Sequence, residues 1–133
     1  MEVIDCVLLV DDDEVSTLLH ERLFRELGLA REIVSKSNGQ EAFNFIKGNY
    51  NSNSPLPSLV LADLSMPVMD GFEFIQRYKT MNFKFKNKPV IIFLTTSKNA
   101  IDLQRASENN IVDYINKPLT SDKVKELLSK HFQ

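Results

Sequence analysis

Disulfide chemistry is excluded at once, because the chain holds a single cysteine, Cys6, within its first apolar run. A lone thiol in such a place acts as a small core residue, and that usage suits a reducing compartment. An excess of charge of either sign is also missing. The balance of 16 basic and 18 acidic residues gives a net charge of -2, too even for a generic nucleic-acid or membrane-surface binder. Partners must therefore be recognised locally. No apolar run approaches the length of a bilayer span, and no basic segment followed by a signal-type apolar stretch opens the chain. A soluble, cytoplasmic protein with no membrane contact and no direct nucleic-acid contact is expected. Repeats and low-complexity tails are absent too, and 133 residues suit one domain, 1–133, with no output domain attached.

Short apolar runs alternate with segments of helical period, the pattern of a parallel sheet flanked by helices. The first strand is expected over about Ile4 to Val10. The first helix follows from about Glu14, with Val15, Leu18, Leu19, Leu23 and Leu27 on its inward face and Gly28 as its stop. A second strand, about Glu32 to Ser35, leads to a helix from Gly39 to Lys47 that buries Ala42, Phe43 and Ile46; the polar stretch Gly48 to Pro57 then reads as a surface loop. The third strand is about Leu59 to Ala62, and the third helix begins near Gly71 and buries Phe72, Ile75 and Tyr78. A long loop, Met81 to Lys88, interleaves Lys84, Lys86 and Lys88 with Phe83 and Phe85, and reads as solvated surface or a docking segment. The fourth strand is Val90 to Leu94. A fourth helix, about Asn99 to Glu108, has the least apolar face and should be the most loosely held. A fifth strand, about Val112 to Asn116, and a fifth helix, about Ser121 to His131, with Val124, Leu127 and Leu128 inward, close the chain.

Four apolar runs end in reactive polar groups, and the carboxyl edge of a parallel sheet would gather them. After Val10 come Asp11, Asp12 and Asp13. Adjacent carboxylates repel, and a hard divalent cation such as Mg2+ relieves that repulsion, so Asp11 and Asp12 are candidate metal ligands. Asp13 and Glu14 read instead as the cap and first-turn acid of the first helix. After Ala62 comes Asp63, a carboxylate at the mouth of a buried strand, where it is suited to nucleophilic attack on phosphorus with a metal nearby. Met66-Pro67 and Asp70-Gly71 read as turn residues feeding the third helix. Thr95 follows Leu94 and supplies a hydroxyl, while the backbone N–H of Thr96 offers a donor to a phosphoryl oxygen. Lys117-Pro118 offers an ammonium before a rigid turn, compatible with a cis peptide that aims the lysine back at the site.

These four segments, Val10-Asp11-Asp12-Asp13, Asp63-Leu64-Ser65-Met66-Pro67-Val68-Met69-Asp70-Gly71, Leu94-Thr95 and Lys117-Pro118, stand in an order and spacing that resemble the response-regulator receiver domain, the family of the bacterial chemotaxis regulator. The resemblance spans nearly the whole chain. It implies an α/β, flavodoxin-like fold: a doubly wound five-stranded parallel sheet of order 2-1-3-4-5 with flanking helices and a site at the carboxyl ends of the strands. It also implies that Asp63 accepts a phosphoryl group from a phosphohistidine on a sensor histidine kinase or histidine phosphotransfer protein. Asp12, Asp63 and the Ser65 carbonyl would hold Mg2+, with Asp11 acting through water, and Lys117 would pair with the phosphoryl oxygens. Thr95 would move toward the phosphoryl group while Tyr114 exchanges rotamers, rearranging the fourth helix, fifth strand and fifth helix for an unknown protein target. Such a chain catalyses only its own phosphorylation and dephosphorylation and acts as a monomer or a phosphorylation-dependent dimer. Ser65 and Ser97 occupy variable positions that tune phosphoryl lifetime in the family. Asn110-Ile111 replaces the usual Gly-Ala and puts a bulky side chain behind Tyr114.

Two competing functions fit parts of the pattern. Asp11 to Val15 also matches the Asp-x-Asp-x-Val/Thr motif of haloacid-dehalogenase-like phosphatases, in which Asp11 would be the nucleophile, although a late acidic pair and room for a cap domain are not evident. A receiver-like interaction module that is never phosphorylated is the other.

Overall fold

A computed structural model describes residues 3–64, 68–81, 84, 88–95 and 113–132. Five strands, β1 (Ile4–Val10), β2 (Ala30–Lys36), β3 (Leu59–Asp63), β4 (Val90–Thr95) and β5 (Asp113–Asn116), pair in parallel in the order β2-β1-β3-β4-β5. The described helices are α1 (Glu14–Leu27), α2 (Gly39–Asn51), α3 (Gly71–Thr80) and α4 (Ser121–Phe132). The helix expected over Asn99 to Glu108 lies outside the described residues, so α4 is the fifth helix of the sequence reading. Among the described residues no helix is long and apolar enough to cross a membrane.

Strand residues alternate between two cores because successive side chains point to opposite faces of the sheet. Leu8, Val10, Val60, Ala62 and Phe93 face α2 and α3, where Phe43, Ile46, Phe72 and Phe74 are buried. Val7, Leu9, Leu59, Leu61 and Ile92 face the other way, against Phe24 of α1 and Val124, Leu127 and Leu128 of α4. With both faces covered, the inner strands are apolar over most of their length, apart from exposed Asp5 near the start of β1 and the polar residues that end β3 and β4.

Several boundaries differ from expectation. β2 begins at Ala30 and ends at Lys36, and β3 and β4 extend to Asp63 and Thr95 themselves. Helix α2 runs four residues past Lys47, through Gly48 to Asn51. Gly48 does not end it, since a single glycine costs only about 1 kcal/mol within a helix. Beyond it, half-buried Tyr50 accepts a hydrogen bond at its hydroxyl from the Lys84 backbone N–H at 3.1 Å. In α3, Phe74 is fully buried and Tyr78 only half-buried.

The largest correction concerns α1. Its inward residues are His20 and Phe24, with Leu23 and Leu27 half-buried, whereas Val15 (65%), Leu18 (65%) and Leu19 (59%) lie open to solvent. The helix carries two apolar stripes, and the one that reaches the sheet contains the histidine.

Candidate functional site

Parallel pairing places the ends of the strands side by side. Val10 lies opposite Ala62, Asp63 opposite Leu94, and Thr95 opposite Asn116. Residues that follow β1 and β5 therefore converge on the last residues of β3 and β4. Asp11 leaves β1 with its N–H donating to the Lys36 carbonyl at 3.1 Å, and its side chain is buried. Asp13 is the N-cap of α1, accepting from the Val15 N–H at 3.0 Å, and Asp12 is exposed between them. Asp70 caps α3 by accepting from the Glu73 N–H, while the Gly71 N–H donates to the Leu64 carbonyl at 3.0 Å, returning the chain to β3. The Cβ of any larger residue at Gly71 would stand 2.7 Å from the Phe93 ring, and one at Gly39 would stand 2.7 Å from the Met69 carbonyl. Met69 is thus packed against the start of α2, and Leu64 against the start of α3.

Lys117 ties the site together. Its peptide bond to Pro118 is cis, its N–H donates to the Thr95 carbonyl at 2.9 Å, and its ammonium donates to Asp11 Oδ2 at 3.2 Å and Asp63 Oδ2 at 3.3 Å. Burial disfavours the charge on that ammonium, but Asp63 and Asp11 outweigh the effect and hold its pKa above the ordinary value. Carboxylate oxygens of Asp11, Asp12 and Asp63 lie within 4.8 Å of one another. All three donors are hard oxygens, and exposed Asp12 leaves one side open to water, so the residues present fit a hard divalent cation such as Mg2+.

Of the remaining candidates, Thr95 is buried at the end of β4, and Tyr114 is exposed on β5 opposite Phe93. Ser65, Thr96 and Ser97, and the pair Asn110-Ile111, lie outside the described residues. Two residues of the neighbourhood escaped the sequence reading. Lys123 of α4 donates to the carbonyls of Asn116 at 2.7 Å and Pro118 at 2.9 Å, clamping the turn that carries Lys117. His20 shares a cavity with Lys117; the available signal was a polar residue at an i, i+4 spacing from Phe24.

The family model of the response regulator receiver domain matches residues 7–129. The chain belongs to the receiver family. Three known receivers match it over most of their own length. Two-component response regulator 24 of Arabidopsis thaliana is 32% identical over 125 residues, covering 92% of this chain and 81% of that protein. Response regulator Rcp1 of Synechocystis is 33% identical over 113 residues, covering 84% and 75%. The solved structure of a two-component response regulator from Cytophaga hutchinsonii superposes with a TM-score of 0.85 at 31% identity, over 97% of both chains. Receivers are signalling domains of two-component systems, and they interact with histidine kinases or phosphotransfer proteins.

Proposed function

We propose that this receiver, read as one domain over 1–133, is switched by phosphorylation of Asp63 from a phosphohistidine of a sensor kinase or histidine phosphotransfer protein. The observation that carries the reading is the fork of Lys117, whose ammonium reaches Asp11 and Asp63 at once. Attack by an Asp63 carboxylate oxygen forms the new P–O bond as the P–N bond breaks, and the electron pair of that bond stays on the departing imidazole nitrogen. Lys117 pairs with the phosphoryl oxygens, and the backbone N–H of Thr96 is a second donor. Asp12, Asp63 and the Ser65 carbonyl are the ligands we assign to Mg2+, with Asp11 acting through water. The ion would offset the charge of an incoming phosphoryl group on an acidic site. Water attack on phosphorus later releases inorganic phosphate and restores the carboxylate.

Asp11 is the poorer nucleophile. Its Oδ1 accepts from the Asp13 N–H at 2.9 Å and its Oδ2 from Lys117, within a buried residue. That geometry disfavours the phosphatase alternative. The donor must cover the mouth of the sheet to reach Asp63, and the exposed Val15, Leu18 and Leu19 just beyond Asp12 offer it an apolar surface. Output follows when Thr95 moves toward the phosphoryl group and Tyr114 exchanges its outward position for an inward one. The change reshapes the surface around β5 and α4 for a protein target or for a second copy of the chain.

The test is intact mass after incubation with Mg2+ and acetyl phosphate. One phosphate adduct on the wild type, absent from Asp63→Asn, is expected. An adduct that persists in Asp63→Asn and requires Asp11 would overturn the assignment, and an unmodified wild type would favour the non-phosphorylated interaction module.

A further inference from the structure

We propose that His20 is a positioning residue for phosphoryl transfer: from α1 it walls the Lys117 side chain and keeps the ammonium aimed at Asp63. This rests on the phosphoacceptor reading above. His20 is 8% exposed and, with Phe24, is one of two buried residues of α1. An imidazole loses water from two ring nitrogens on burial, a cost that a leucine filling the same space would avoid. A cavity of about 640 Å³ separates α1 from the turn after β5, and its lining includes Leu19, His20 and Leu23 on one side and Lys117, Pro118 and Leu119 on the other. Burial pushes the His20 pKa below its ordinary value, while Asp11 and Asp63 pull it up and Lys117 pushes it down. The ring thus lies within the field of Asp11, Asp63 and Lys117.

The need for such a wall follows from the lysine. Its backbone is fixed, through Thr95 on one side and through the clamp of Lys123 on the other. Its four-carbon stem is not fixed by these bonds, and a flexible stem must be confined to hold one ammonium between two carboxylates at 3.2 and 3.3 Å. A neutral polar ring confines it without removing more of the polarity that a half-buried ammonium needs. An apolar side chain of similar size would fill the space but would deepen the desolvation that already works against the charge.

The role is therefore exerted through Lys117, and a double-mutant cycle separates it from plain packing. The measurement is the rate of phosphorylation by acetyl phosphate with saturating Mg2+, followed by intact mass over hours so that slow variants register. Unfolding midpoints confirm that each variant folds. His20→Leu is expected to slow the wild type about tenfold, as displacement of a catalytic group by a fraction of an ångström does. His20→Gln, neutral and polar, should restore the rate to within about threefold, and in a Lys117→Ala background His20→Leu should change it by less than about twofold. If His20→Leu does not fold, His20→Met carries the same comparison. A wild-type rate in the apolar variant, or an equal proportional loss with and without Lys117, overturns the inference while leaving Asp63 as phosphoacceptor. A wild type that takes no phosphate sinks both.

Discussion

Val68 lies five residues past Asp63 with φ at 69°, a left-handed conformation that crowds a β-branched side chain, and that side chain is 78% exposed. Contact with the core does not repay the strain. Val68→Gly should therefore stabilise the fold, by about 1 kcal/mol in urea unfolding once the greater freedom of glycine in the unfolded chain is subtracted from the relieved strain. An unchanged or lower midpoint would mean that the backbone there is not strained. The conformation was hidden in the sequence, because left-handed turns are recognised by Gly, Asn or Asp, and none stands at this position. The site residues were far easier to read. Asp11, Asp63, Thr95 and Lys117 each follow or end an apolar run, and a parallel register turns that shared position into proximity.

At the scale of elements, α1 shows why periodicity alone is ambiguous. Val15, Leu18 and Leu19 recur at helical spacing, and so do His20, Phe24 and Leu27. Only the second stripe meets the sheet, but the histidine in it lowered its apparent hydrophobicity. The consequences differ by residue. Phe24→Ala should cost about 3–5 kcal/mol in urea unfolding, whereas Leu18→Asn with Leu19→Asn should cost no more than about 1 kcal/mol together. The second pair should also leave labelling by acetyl phosphate intact while slowing transfer from any phosphorylated histidine phosphotransfer protein that labels the wild type. Equal transfer rates would remove α1 from the donor surface. Helix α2 was read short for a related reason: Gly48 resembles a stop, and what carries the helix onward is the half-burial of Tyr50 against the distant Lys84, which no local pattern reveals.

For the whole molecule, the two-faced core was legible in the long apolar runs of the inner strands, which a sheet covered on both faces requires, whereas the strand order came from the family resemblance. The crowding of Asp11, Asp12 and Asp63 at one edge follows from that order. Mg2+ should accordingly raise the unfolding midpoint, contributing about 1.4 kcal/mol at a tenfold excess over its Kd, with chelation reversing the effect. Asp12→Asn should shrink this response; a midpoint indifferent to Mg2+ would count against the metal site.

The Lys117 fork has one more consequence. Among the described residues the Lys117 ammonium pairs with two of three clustered carboxylates, so the pocket keeps a surplus of negative charge even with that cation in place. A dianionic phosphoryl group approaching it is repelled until an outside cation arrives. On the phosphoacceptor reading proposed above, donor and metal would have to be present together, and the protein would behave as a coincidence gate whose threshold is set by the ionic state of its surroundings as much as by its phosphodonor.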